Sequence, residues 1–153
     1  MIELEDSVYI DVPPTRIWEW LSDLPHHYRE WHPAHVKCQY LRSDHLCPGA
    51  VLGVEEYLHG KLHKLKLRAT TVEPNHLLRY TSHGFLGSFE LTPQNSGTVF
   101  TARLAFGMRI PILRTVIDAI LRRMLRSRLN GFRVHMREEG QNLKQLIESG
   151  PAV

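Results

Sequence analysis

The chain has 153 residues, with 19 Lys and Arg against 16 Asp and Glu and a formal charge of +3. Hydrophobic residues make up 42% and charged residues 23%, which excludes a disordered chain, and the small net charge gives no support to nucleic acid as a partner. No apolar run approaches the ~18 residues of a membrane span, and the acidic start Met1 to Asp6 lacks a signal-peptide core, so a cytoplasmic protein is expected. The length suits a single domain over residues 1–150. Cys38 and Cys47 read as two reduced thiols, too few for a disulfide framework or a zinc knuckle. Histidines number ten, twice the phenylalanines, so their positions matter more than their count.

In chain order, Val8 to Val12 predicts a first strand, ended by Pro13-Pro14. A helix over Thr15 to Ser22 follows, with Ile17, Trp18 and Leu21 on one face, and Leu24-Pro25 breaks it. A second short helix near His26 to Trp31 stops at His32-Pro33. Strands are predicted over Val36–Leu41, Val51–Leu58, Leu62–Val72, Leu77–Ser82, Phe85–Leu91 and Thr98–Phe106. Turns are expected at Pro48-Gly49, His59-Gly60, Pro74-Asn75 and Pro93 with Asn95-Ser96-Gly97. From Pro111 to Glu148 apolar residues recur at helical spacing. One straight helix of that length would measure ~57 Å, against a gyration radius of ~15 Å for a compact domain this size. A bend or break is therefore expected near Asn130-Gly131.

This order of elements gives an α+β fold with a curved antiparallel sheet wrapped around a long C-terminal helix, leaving a cavity between them. It resembles the helix-grip fold of the START / Bet v 1-like (SRPBCC, polyketide cyclase-like) superfamily. The residues carrying the likeness are Val12-Pro13-Pro14, Ile17-Trp18, Leu21-Ser22-Asp23, Trp31 with Pro33, Pro48-Gly49 and Ser96-Gly97-Thr98. The superfamily includes lipid carriers, hormone receptors, cyclases and metal-dependent hydrolases, and fold alone does not choose among them.

Three pieces of sequence carry candidate chemistry. On the C-terminal helix, Leu125, Phe132, Met136, Leu143 and Ile147 define an apolar stripe. Glu139 falls within ~20° of its centre and His135 within ~60°, while Glu138 lies ~120° away toward solvent. A carboxylate aimed at the core is costly unless paired or metal-bound. His135 and Glu139 share a face at i,i+4, and the plainer alternatives are a simple helix pair or a pairing of Glu139 with Arg128. In Glu55-Glu56, Glu56 shares phase with Leu52, Val54 and Leu58 and so is expected to point inward, in preference to Glu55. In Tyr28 to His35, at a helix-to-strand junction, both His32 and His35 are candidates. Two histidines and two carboxylates converging from loop, strand and helix describe a catalytic divalent site, with zinc favoured over manganese, iron or nickel.

The same residues resemble the 2,4-diacetylphloroglucinol hydrolase family, which includes phloretin hydrolase. Tyr28, Trp31, His32, Pro33 and His35 match its first stretch, and His135 with Glu139, followed by Asn142-Leu143, matches its helical His-x-x-x-Glu. The resemblance implies zinc held by His35, Glu56, His135 and Glu139, with Tyr28 against the substrate. It implies hydrolysis of a carbon–carbon bond between an acyl group and an electron-rich ring, with metal activation of the acyl oxygen or of water. His83, beside Gly84 at a strand end, is a candidate for proton transfer to the ring carbon, with an ordinary turn histidine as its plainer reading.

The alternative function is a non-catalytic binding or transfer protein for a lipid or aromatic ligand in the same cavity. The segment Arg114 to Arg133 carries six arginines against Asp118 and reads as a basic amphipathic helix. A solvated basic face is favoured there over contact with anionic lipid.

Overall fold

A computed structural model of the chain describes residues 2–106, 119–120, 123 and 126–150. The first strand, β1 (Ile2–Ile10), is longer and earlier than the sequence pattern suggests. Ile2 and Leu4 are buried while Glu3 and Glu5 are exposed, so the acidic start is the outer face of a strand. It stops before Val12. Asp11 gives its backbone N–H to the Glu148 carboxylate at 2.8 Å, and the Val12 N–H turns back to the Ile10 carbonyl.

Two short helices follow, α1 (Pro14–Ser22) and α2 (Leu24–Trp31). Helix α1 buries Ile17, Trp18 and Leu21, the face expected from spacing. Helix α2 begins at Leu24 rather than His26 because Pro25 falls in its first turn, where no backbone donor is needed. It ends where His32, ahead of Pro33, takes an extended conformation.

The six remaining strands are β2 (His35–Arg42), β3 (Val51–Leu58), β4 (Lys61–Glu73), β5 (Leu77–Ser82), β6 (Phe85–Gln94) and β7 (Gly97–Phe106). They form one antiparallel sheet with β1 in the order β1-β7-β6-β5-β4-β3-β2. His59-Gly60 makes the β3–β4 hairpin turn with both residues at positive φ. Pro93, expected to close β6, lies within it. The β5 partner has ended at Leu77↔Glu90, so no ladder donor is required of Pro93 on that side.

The C-terminal helix, α3 (Arg126–Glu148), lies against β1, β7 and α2. Where a bend or break is expected near Asn130-Gly131, the helix continues without a break. Gly131 serves a different purpose: a Cβ at that position would stand 3.1 Å from the His59 ring, so the glycine admits the β3–β4 turn against the helix. Gly140 does the same for β1, where a Cβ would sit 3.3 Å from Asp6 and Val8. The expected helix start at Pro111, the upstream part of the basic segment (Arg114, Ile117, Asp118, Leu121, Arg122, Met124) and Leu125 of the stripe lie outside the described residues.

The core fills the space between the sheet's inner face and the helices. Ile10, Ile17, Leu91, Phe100 and Leu143 are essentially inaccessible there. Each such side chain contributes about 1.5–3 kcal/mol by leaving water. Both cysteines are free thiols, Cys38 buried and Cys47 half-buried. Burial pushes the Cys38 thiol up to about 12, which keeps it protonated and inert.

Candidate metal centre in the cavity wall

Sheet register brings the first pair of candidate residues together. His35, the first residue of β2, stands opposite Glu56 of β3. A register shift between His35 and Lys37 bulges the strand at Val36, so His35 and Cys38 both face inward despite their odd spacing. Helix α3 supplies the second pair, His135 and Glu139, one turn apart on its inner face. The ligand atoms of His35, Glu56, His135 and Glu139 all lie within 4.8 Å of one another. The His35 side chain is fully buried; Glu56, His135 and Glu139 are 14%, 15% and 16% exposed. The group is therefore enclosed by protein yet open on one side.

Glu139 is the hub. Its Oε1 is 2.9 Å from His35 Nε2 and 3.0 Å from His135 Nε2. Glu56 Oε2 stands farther off, 3.5 Å from His35 Nε2 and 3.8 Å from His135 Nε2. Burial by itself raises the Glu139 carboxyl, but hydrogen bonds from the two imidazoles outweigh it and bring it down to about 2. Glu56 is raised by its burial and by the Glu139 charge beside it. Burial opposes a charge on His135, yet the bond to Glu139 and the nearby carboxylates still raise it.

The surrounding side chains hold these groups in place. His35 Nδ1–H donates to the Tyr28 carbonyl at 2.9 Å, which leaves Nε2 facing the carboxylates. The Tyr28 ring stacks on the His35 ring with centroids 3.9 Å apart, and its hydroxyl donates to Glu56 Oε2 at 3.1 Å. Trp31 Nε1 donates to the Glu139 backbone carbonyl at 2.9 Å, and Asn142 Nδ2 donates to the Trp31 carbonyl at 2.9 Å. These two bonds tie the end of α2 to the turn of α3 that carries Glu139. Trp31 and Asn142 belong to the matched sequence stretches, but nothing in a linear pattern shows that they bond to each other's elements.

His32 is outside the four-residue group. Its Nδ1 accepts from the Ala34 N–H, so Nε2 carries the proton and donates to Glu138 at 2.6 Å. Glu138 is about half exposed, in keeping with its phase on the helix. Glu55 pairs with Lys64 at 3.3 Å instead of joining Glu56. Arg128 is exposed, and it is the histidines that partner Glu139. Of the upstream basic segment, Ile120 and Arg123 are described and both are exposed.

The open side of the group faces a cavity of about 440 Å³. Leu52, Val54, Leu65, Leu67, Phe89 and Phe132 give it apolar walls, and Tyr28, Glu56, His135 and Glu139 form a polar patch. His83 is an exposed residue of the β5–β6 turn and lines the cavity with Gly84. The volume lies in the range of small-molecule pockets. Two imidazole nitrogens and two carboxylate oxygens are the donors of a hard-to-borderline divalent cation, and among the described residues only histidines form ion pairs with the two carboxylates. The residues fit a zinc-type ion.

A curved sheet gripping a long helix over an internal cavity is the helix-grip, Bet v 1-like architecture. The chain belongs to the polyketide cyclase / dehydrase and lipid transport family, whose pattern matches residues 1–148. No curated protein matches it. Among solved structures it is similar to TTHA0849 from Thermus thermophilus, with a TM-score of 0.75 and 15% identity over 99% of this chain and 100% of that one. MLL2253 from Mesorhizobium loti matches with a TM-score of 0.68 and 20% identity over 99% and 100% of the two chains. The di-domain ARO/CYC BexL from the BE-7585A biosynthetic pathway matches with a TM-score of 0.73 and 17% identity, over 98% of this chain and 51% of BexL. Likeness at these identities establishes the fold. No helix among the described residues is long and apolar enough to cross a membrane.

Proposed function

We propose that the chain is a metal-dependent hydrolase of phenolic or polyketide-like small molecules, with His35, Glu56, His135 and Glu139 holding one divalent ion, zinc in the first instance. The observation that carries the reading is the convergence of these four side chains from β2, β3 and α3 onto one point in the wall of an apolar cavity. The resemblance of the Tyr28–His35 and His135–Glu139 stretches to the diacetylphloroglucinol hydrolases supports the choice of reaction. In that reaction water adds its oxygen to the acyl carbon, the acyl–ring bond breaks, and the ring carbon keeps the electron pair and takes a proton. A bound metal supplies Lewis acidity toward the acyl oxygen or the attacking water.

The chain's own residues do the rest. Tyr28 orients Glu56 by its hydroxyl and His35 by its ring. The apolar walls exclude bulk water from the aromatic part of the substrate. His83, on the cavity lining, supplies or relays the proton for the ring carbon in this reading.

Elemental analysis of untagged protein tests the proposal. Near one zinc per chain is expected in the wild type, lost in both His135→Ala and Glu139→Ala while the variants stay folded, with hydrolysis of an acylphenol lost alongside. No metal in the wild type, even after zinc is offered and the excess removed, would overturn it. A second reading, a carrier of a lipid or aromatic molecule, draws on the largely apolar cavity and on the lipid transport in the family's description. It predicts that Glu139→Ala leaves ligand affinity nearly unchanged.

A further inference from the structure

Tyr80, midway along β5, has no part in the group described above. It stands directly opposite Gly87 of β6, and a Cβ on Gly87 would overlap both its ring and its hydroxyl. The ring therefore lies flat across the glycine, held between Phe89 and Phe85 at centroid distances of 5.5 and 6.4 Å. Tyr80 is deep in the molecule, yet it keeps accessible surface, and that surface belongs to the cavity it lines.

Its hydroxyl makes no hydrogen bond to protein among the described residues. No fully enclosed side-chain oxygen or nitrogen among them lacks a partner, so this hydroxyl opens into the cavity. Burial, with Glu139 and Glu56 nearby, pushes its ionisation far above the ordinary range. The phenol is thus a donor and not a base. The other phenol beside the carboxylates, Tyr28, already spends its proton on Glu56. A donor held rigidly in a cavity wall without a protein partner gains most from an acceptor brought by a ligand. Phenylalanine would fill the same space if packing were its whole purpose.

We propose that Tyr80 determines specificity: its hydroxyl donates to an oxygen of the bound molecule, so the cavity prefers ring-sized apolar compounds bearing a ketone or phenolic oxygen over hydrocarbons of the same shape. The proposal rests on the reading of the cavity as a site for acylated aromatic or phenolic molecules, and it stands apart from the metal. Titration calorimetry with 2-acetylnaphthalene and 2-ethylnaphthalene tests it, on the protein as purified and again after EDTA treatment. The wild type should bind the ketone about fivefold more tightly than the hydrocarbon. Tyr80→Phe should erase that preference and leave the hydrocarbon's affinity unchanged. Equal affinities in the wild type, an undiminished preference in Tyr80→Phe, or a parallel loss for both compounds would overturn the proposal. Persistence of the preference after EDTA treatment separates this result from any failure to find zinc.

Discussion

Glu56 and Glu139 are the same residue type in one enclosed group, yet their environments drive them apart. Glu139 Oε1 lies within hydrogen-bond distance of two imidazole Nε2 atoms, whereas Glu56 accepts from the Tyr28 hydroxyl and faces a neighbouring carboxylate. His63 stands opposite Glu56 on β4, and His35 and His135 are the other titratable side chains facing it. A carboxyl raised above its unfolded value costs nothing below that value, and destabilises the fold as pH rises and it ionises. In metal-free protein at neutral pH, Glu56 is therefore a net cost, and Glu56→Gln should raise the Tm measured in EDTA. Zinc should stabilise the wild type and fail to stabilise the variant. An unchanged or lower Tm in EDTA would show that Glu56 is not under strain. That Glu56 turns inward, and not Glu55, was legible from alternation alone, because β3 is regular there. The choice between His32 and His35 was not: it depends on the bulge at Val36 and on the Ala34 N–H that occupies His32, neither of which leaves a mark in the pattern of residue types.

At the scale of elements, the centre depends on how firmly α2 meets α3. Asn142 and Trp31 form that joint, with each side chain bonding to the backbone of the other's helix. Removing the amide leaves the Trp31 carbonyl without its partner, so Asn142→Ala should cost about 1–3 kcal/mol in urea unfolding. Because the same joint fixes the turn bearing Glu139, zinc affinity should fall as well, while 2-ethylnaphthalene still binds. A loss of stability with zinc affinity intact would make the joint purely structural. Spacing alone gave the faces of α1 and of α3 correctly, since 3.6-residue periodicity survives any change of neighbours. It misjudged places where a tertiary contact overrides local preference. Asn130-Gly131 reads as a place for a bend or break, but no break occurs there and the glycine admits His59. The first strand is predicted only from Val8, but the alternating residues Ile2 to Ser7 join it once β7 supplies a partner.

For the molecule as a whole, the element order was enough to predict a curved sheet around a helix, because few other arrangements bury so many alternating strands and one long amphipathic helix. What order cannot reveal is the division of labour inside the resulting space. The candidate centre occupies one patch of the cavity wall, and the apolar remainder extends along β4 through Leu65 and Leu67. Leu67 is four residues along β4 from His63, the residue level with Glu56, and so about 13 Å away along the strand. Leu67→Trp should fill that end of the cavity without disturbing the ligand set. Crowding of this kind costs a bound probe about 1–3 kcal/mol, so 2-ethylnaphthalene should bind about tenfold more weakly. Zinc content should stay near that of the wild type, and the Tm should hold or rise as empty space is filled. Acylphenol hydrolysis should fall with probe binding although the metal stays. A fall in zinc content that matched the loss of probe binding would instead mean that walls and centre form one mechanical unit, and that the metal ligands owe their geometry to the shape of the cavity.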